Sequence, residues 1–144
     1  MGRLKTRRIG GRKALAILLA AMLFALTGCT RLSEEKIKLR DLDFTVLSEE
    51  KIPEELKELL EEKKDSPFQI TYADKENLYI CVGYGQQETG GYSIAVEELY
   101  LTDSNICVAT SLLGPDGTEQ GEKTPSCPYI VLKTEFLDLT VVFE

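Results

Sequence analysis

Histidine is absent from all 144 residues. That absence excludes Ser-His-Asp and Cys-His nucleophilic catalysis, and histidine-ligated zinc or iron. No cysteine pair has metal-finger spacing, and no glycine-rich loop matches a phosphate cradle leading into a helix. The sequence therefore supplies no catalytic residue, no metal ligand set and no cofactor site. Paired carboxylates are the remaining enzymatic route, but with twenty-four acids in the chain adjacency carries little weight. Asp41-Leu42-Asp43 lacks the oxygen-rich loop of a calcium site. Long hydrophobic runs are also scarce. Ala14 to Leu26 is apolar throughout, yet as a helix it rises only about 20 Å, short of the roughly 30 Å hydrocarbon core of a bilayer.

What precedes and follows that run gives it a meaning. Six basic residues (Arg3, Lys5, Arg7, Arg8, Arg12, Lys13) and no acid lie before it, the pattern of a secretory leader. Gly10-Gly11 stand where a twin-arginine signal wants bulky apolar residues, so Sec export is expected. Leu26-Thr27-Gly28-Cys29 resembles the bacterial lipobox, which implies cleavage before Cys29 and a diacylglycerol on its thiol. Two acyl chains, at about 0.8 kcal/mol per buried methylene, anchor a protein firmly. The expected organisation is a signal peptide over 1–28, a lipidated tether over 29–40 and one domain over 41–144. The expected location is the extracytoplasmic face of a bacterial membrane. With the leader set aside, eleven basic residues face all twenty-four acids, a formal charge near −13. Such a surface repels phosphate backbones and excludes nucleic acid as a partner.

The rest of the chain reads mainly as strands. Leu32-Ser33-Glu34-Glu35-Lys36-Ile37 recurs as Leu47-Ser48-Glu49-Glu50-Lys51-Ile52, a local duplication too short for a repeat fold. Leu42 to Leu47 alternates as a first strand. Pro53 to Lys64 reads as an amphipathic helix, with proline in its first turn, Glu54 and Glu55 at its positive end, and Ile52, Leu56, Leu59 and Leu60 as an apolar stripe. Phe68 to Ala73 is a short strand. Leu78 to Tyr84 and Tyr92 to Leu101 read as a hairpin closed by the glycine-rich stretch Gly85 to Gly91. Within the second strand the apolar parity changes from Tyr92, Ile94 and Val96 to Leu99 and Leu101, which predicts a β-bulge near Glu97-Glu98. Strands over Ile106 to Leu113, Tyr129 to Lys133 and Leu137 to Phe143 complete the domain, with a turn-rich loop from Gly114 to Ser126. The expected fold class is α+β: a mostly antiparallel sheet of six or seven strands with one amphipathic helix, sandwich- or barrel-like. With Cys29 assigned to lipid, the hairpin places Cys81 opposite Ala95 and Cys107 near Tyr100, too far apart to bridge. Buried free thiols are the favoured reading, and pairings with Cys127 stay open.

Several short stretches together resemble the PrcB C-terminal domain family. They are Gly85, the run Thr89-Gly90-Gly91-Tyr92-Ser93-Ile94, then Gly114-Pro115-Asp116-Gly117, Thr124-Pro125 and Pro128-Tyr129-Ile130-Val131, within residues 78–134. Ser126-Cys127, beside the second proline, departs from that pattern. The resemblance implies a non-catalytic, surface-tethered binding module whose expected partner is a surface protease, as its accessory or stabilising subunit, or another extracytoplasmic protein. On that reading Thr89, Gly90, Gly91 and Tyr92 form the partner-binding turn. The alternative is binding of cell-wall glycan or a small ligand by stacking on Tyr84, Tyr92, Tyr100 and Tyr129. A plainer role for Gly90-Gly91-Tyr92 is structural: glycines for a crowded backbone and a tyrosine packed at a strand start.

Overall fold

The computed structural model describes residues 35–116 and 123–144. The expected signal peptide, Cys29, half of the expected tether and Gly117 lie outside the described residues. Among the described residues, eight strands and one α-helix make up the unit Lys36–Glu144. They are β1 (Arg40–Asp41), β2 (Phe44–Val46), α1 (Glu54–Lys63), β3 (Pro67–Ala73), β4 (Asn77–Tyr84), β5 (Ser93–Leu101), β6 (Asn105–Leu113), β7 (Tyr129–Glu135) and β8 (Thr140–Phe143). A 3-10 turn, Glu49–Lys51, precedes the helix.

Two open sheets form, in the orders β1-β5-β6-β8 and β2-β7-β4-β3. The expected α+β class is therefore a sandwich and not a barrel, since neither sheet closes on itself. All pairings are antiparallel except β6 with β8.

The expected hairpin of Leu78–Tyr84 with Tyr92–Leu101 does not exist. β4 pairs with β3 and β7, and β5 pairs with β1 and β6, in the other sheet. The glycine-rich stretch is a crossover between sheets. The physical reason lies in β4 itself, which is buried on both faces. Leu78, Ile80 and Val82 face the core between the sheets, together with Leu99, Ile106, Val108, Ile130 and Leu132. Tyr79 and Cys81 face the opposite way, into a second core with Ile52, Leu56, Leu60 and Val131. A run apolar on both faces belongs in the middle of a covered sheet. The true hairpin partner of β4 is β3, joined through Asp74 to Glu76.

The helix supplies the cover. Its stripe lies on β4 and β7, and burying Leu56 and Leu60 contributes roughly 2 kcal/mol each. Pro53 caps the helix with its carbonyl, which accepts the Lys57 amide at 3.0 Å. Glu54 and Glu55 sit in the first turn and Lys63 in the last, as the dipole favours. Tyr72 Oη donates to Glu55 Oε2 at 2.8 Å and ties β3 to the helix.

The predicted bulge is present: the β5–β6 register shifts between Val96 and Glu98. The extra residue, Glu97, lets Ile94 and Val96 on one side of it and Leu99 and Leu101 on the other all reach the core between the sheets.

The single strand expected over Leu42 to Leu47 is instead a switch between sheets. β1 adds to β5 and β2 adds to β7, with Leu42 buried at the switch and the Asp43 carbonyl accepting Thr134 Oγ1 at 2.8 Å. Phe44 and Val46, which alternate with Thr45 in β2, are 40% and 52% exposed. Where Leu137 to Phe143 reads as one strand, only Thr140–Phe143 pairs, while Leu137 and Leu139 still pack against the core.

Candidate functional site

Every described stretch that carries the family resemblance converges at one end of the sandwich. The crossover leaves β4 at Tyr84 and enters β5 at Ser93. Gly85 takes φ +73°, and a Cβ there would lie 2.8 Å from Pro67 Cδ. Only glycine fits both the backbone angle and that space. The Gln86 amide then donates to the Asp65 carbonyl at 3.2 Å, which fixes the crossover to the turn between α1 and β3.

Ser126 is the main brace. Its amide and carbonyl exchange hydrogen bonds with Gln87, at 3.1 and 2.7 Å, as an isolated antiparallel bridge. Its hydroxyl donates to the Thr89 carbonyl at 2.7 Å. Tyr84 donates its amide to the Pro128 carbonyl at 3.1 Å, so the loop preceding β7 runs alongside the crossover. Reading the sequence, Ser126 is only a departure from the family pattern; its placement after Pro125 in a turn-rich loop is the sole local signal for this role.

The four residues expected in the partner-binding turn come together here. Thr89 and Gly90 are half-buried, Gly91 is exposed, and Tyr92 is half-buried. Gly91 takes φ +84°, and a Cβ there would meet Pro115 Cβ at 3.0 Å. Tyr92 lies beside Gly114, where a Cβ would be 3.8 Å from its ring. Gly91 is thus required by the backbone as well as placed at the surface. Gly90 is not in the left-handed region. A shallow depression of about 320 Å³ lies against the loop, lined by Gln86, Gln87, Glu88 and Pro125.

The four tyrosines of the ligand-stacking alternative do not share a surface. Tyr84 is half-buried at the edge of the core between the sheets, with its hydroxyl 2.8 Å from Thr110 Oγ1. Tyr129 packs against the helix-side core beside Phe68, and Tyr100 is buried and bonded to Glu144. Tyr92 alone belongs to the glycine loop.

Cys81, Cys107 and Cys127 are free thiols. Cys107 pairs across with Tyr100, as expected, but Cys81 lies in the other sheet, opposite Ile70 and Val131 and not Ala95. Burial pushes the Cys81 thiol up to about 12, so it is neutral and inert in the folded protein. Cys127 is half-buried, 3.5 Å from Asp65 Oδ1, and its thiol is raised by partial burial and then by that carboxylate. Among the described residues no group of three His, Cys, Asp or Glu side chains is placed to hold a metal ion.

The arrangement is a braced, mostly polar loop cluster on a rigid sandwich, suited to recognition. Comparison with curated proteins and with solved structures gives no match. Residues 78–135, from the start of β4 to the end of β7 and including the whole glycine crossover, match the family described as PrcB C-terminal.

Proposed function

We propose that this protein is a non-catalytic, lipid-anchored extracytoplasmic interaction module that serves as an accessory, stabilising subunit of a surface protease. The observation that carries this reading is the convergence of the family-matched segments on one exposed loop cluster, with Gly91 at its surface and Ser126 bracing it. A loop held by its own hydrogen bonds loses little entropy on binding, which favours tight association with a protein surface. The lack of any histidine supports a binding role over a catalytic one. Acylation of Cys29 would hold the module at the membrane while its acidic domain stays off an anionic bilayer.

The test is crosslinking on intact cells followed by capture of the tagged full chain, alongside a Gly91→Arg variant. Folding of the variant is first checked by circular dichroism, because Gly91 sits at positive φ. One extracytoplasmic protease captured with the parent chain and lost with the folded variant is the expected result. Capture of no protein by either form defeats the accessory-subunit reading. Retention of the parent chain on insoluble peptidoglycan would then turn attention to glycan binding.

A further inference from the structure

The outer strands of the two sheets are β1, β8, β2 and β3, and three of them are short. β1, β2 and β8 span two, three and four residues. β3 spans seven, Pro67 to Ala73, in unbroken register with β4. Among the described residues no strand pairs with its other side. The Asp74 amide donates to the Asn77 carbonyl across the turn at 3.0 Å, while the Tyr84 amide points away from β3, to the Pro128 carbonyl. Backbone groups alternate along a strand, so Phe68, Ile70 and Tyr72 direct theirs to β4. Gln69, Thr71 and Ala73 therefore turn their N–H and C=O groups outward. The usual guards of such an edge are missing. β3 carries no charged residue and no bulge, and Pro67 blocks only its first position.

The helix beside this edge is split by charge. Glu55, Leu59 and Glu62 follow one another at spacings of four and three, so they share one flank of α1. That flank lies towards β3. Tyr72 Oη bonds Glu55, Leu59 joins the same helix-side core as Phe68, Ile70 and Tyr72, and Glu62 borders Phe68. The helix lysines Lys57 and Lys64 are held on the other flank, by Glu54 and Glu61. Glu55 and Glu62 are exposed, and among the described residues neither has a basic partner. Lys63 and Asp65 lie together beyond Glu62, where β3 begins.

Charge selects the occupant. A second copy added edge to edge would bring two acidic flanks together, glutamate against glutamate. In an added strand, the side chains opposite Tyr72 and Phe68 face the helix beside Glu55 and Glu62, and the one opposite Ile70 meets Leu59. We infer that the outer edge of β3 takes an extended segment of a partner protein as an added antiparallel strand, with lysine or arginine at two positions four residues apart and an apolar side chain midway between them. Backbone bonds supply the affinity, and the acidic flank chooses the segment and its register. The site shares no residue with the glycine crossover and does not depend on the proposed protease partner.

The test uses the isotope-labelled full chain in detergent solution and the capped peptide TKTVTKT, with hydrogen exchange read at each amide. Exchange at Gln69, Thr71 and Ala73 is expected to be fast in the free protein and to slow by at least about tenfold at saturation. Methylating the threonine nitrogens of the peptide should abolish this protection. Methylating its lysine and valine nitrogens, which point away from β3, should preserve it. Thr71→Pro removes one outward N–H, spares the bonds to β4 and should also abolish it. The methylated peptides keep the result readable if that variant fails to fold. Glu62→Gln should weaken binding about threefold, and the acidic peptide TETVTET should not bind. Slow exchange at the three amides in the dilute free protein would mean that the chain covers its own edge. Slow exchange that appears with protein concentration alone would assign the edge to a second copy. Either result, no protection at millimolar peptide, or equal protection by the threonine-methylated or acidic peptide would overturn the proposal. Folded Gly91→Arg should bind the peptide as the parent chain does, which separates failure here from failure of the glycine-loop interface.

Discussion

The two sheets of this sandwich are covered differently, and the difference explains most of the sequence. The β2-β7-β4-β3 sheet is packed on both faces, by the other sheet on one side and by α1 on the other. Its middle strand β4 is accordingly apolar along almost its whole length. The β1-β5-β6-β8 sheet buries its inner face and covers its outer face only around Tyr100 and Cys107, while β5 carries Glu97 and Glu98 in the open beside Leu99 and Leu101. Continuous apolar character belongs to the strand with two covers, alternation to the strand with one. It follows that the doubly covered sheet is the better-packed frame of the two.

Substitutions beneath the helix should break that contrast most strongly. Leu60 is fully enclosed between α1 and the sheet, and Leu60→Ala should cost about 3 kcal/mol by leaving a cavity. On the outer face of the other sheet, Ala95 sits opposite Ser111, only half-buried. Ala95→Ser should stay within about 0.5 kcal/mol. Urea denaturation midpoints of the two variants measure the difference directly. Equal losses would mean that the outer face of the second sheet is covered as well.

A smaller effect is expected where β3 crosses β4. Gly83 pairs opposite Phe68, and a Cβ at Gly83 would overlap the Phe68 ring. The ring covers the glycine backbone in place of a side chain. Gly83→Ala should cost about 1 to 2 kcal/mol by displacing it. Most of that loss should vanish in a Phe68→Leu background, so a double-mutant cycle should return a coupling of about 1 kcal/mol. Additive losses would show that the ring moves aside freely.

Gly91 and Gly90 carry the contrast into the loop. At φ +84° Gly91 should lose about 1 to 2 kcal/mol on replacement by alanine, whereas Gly90→Ala should fall within about 0.5 kcal/mol. Thermal melts of the two single variants decide it. The sequence signals that something special happens at the glycine pair, but adjacency alone does not say which glycine bears the strain.

Local features of this kind were the legible ones. The parity change from Val96 to Leu99 locates the bulge because it depends on one strand alone. The stripe Ile52, Leu56, Leu59, Leu60 likewise locates the helix. Pairing is different, because it depends on residues far away in the chain. Leu78 to Tyr84 and Tyr92 to Leu101, joined by a glycine-rich stretch, look like a hairpin, yet Cys81 needs Val131 beside it and Tyr100 needs Cys107. The apolar residues on both faces of β4 were the available sign that it needs neighbours on either side. Ser126 was illegible for the same reason: its hydroxyl acts on Thr89, thirty-seven residues away.

The finest contrast lies in the two hairpin turns. In the second sheet, Thr102 Oγ1 accepts the Asn105 amide at 2.9 Å, and a hydroxyl does not titrate in the range of folding. In the first sheet, the Asp74 carboxylate accepts the Glu76 and Asn77 amides at 2.9 and 2.7 Å, and Tyr79 Oη at 3.0 Å. The Glu76 amide first, then that of Asn77, lowers the Asp74 carboxyl from 3.8 to about 2. A carboxyl whose folded pKa lies below its unfolded one binds protons more readily when unfolded. Its stabilisation is therefore complete above about pH 4 and is lost as the pH falls through about 2. In Asp74→Asn the turn can still form, but that part of the pH dependence disappears. Melting temperatures recorded between about pH 5 and pH 2 should fall more steeply for the parent chain than for Asp74→Asn. Parallel curves would mean that the β3–β4 turn opens before the sheet does, leaving the carboxylate uncoupled from folding.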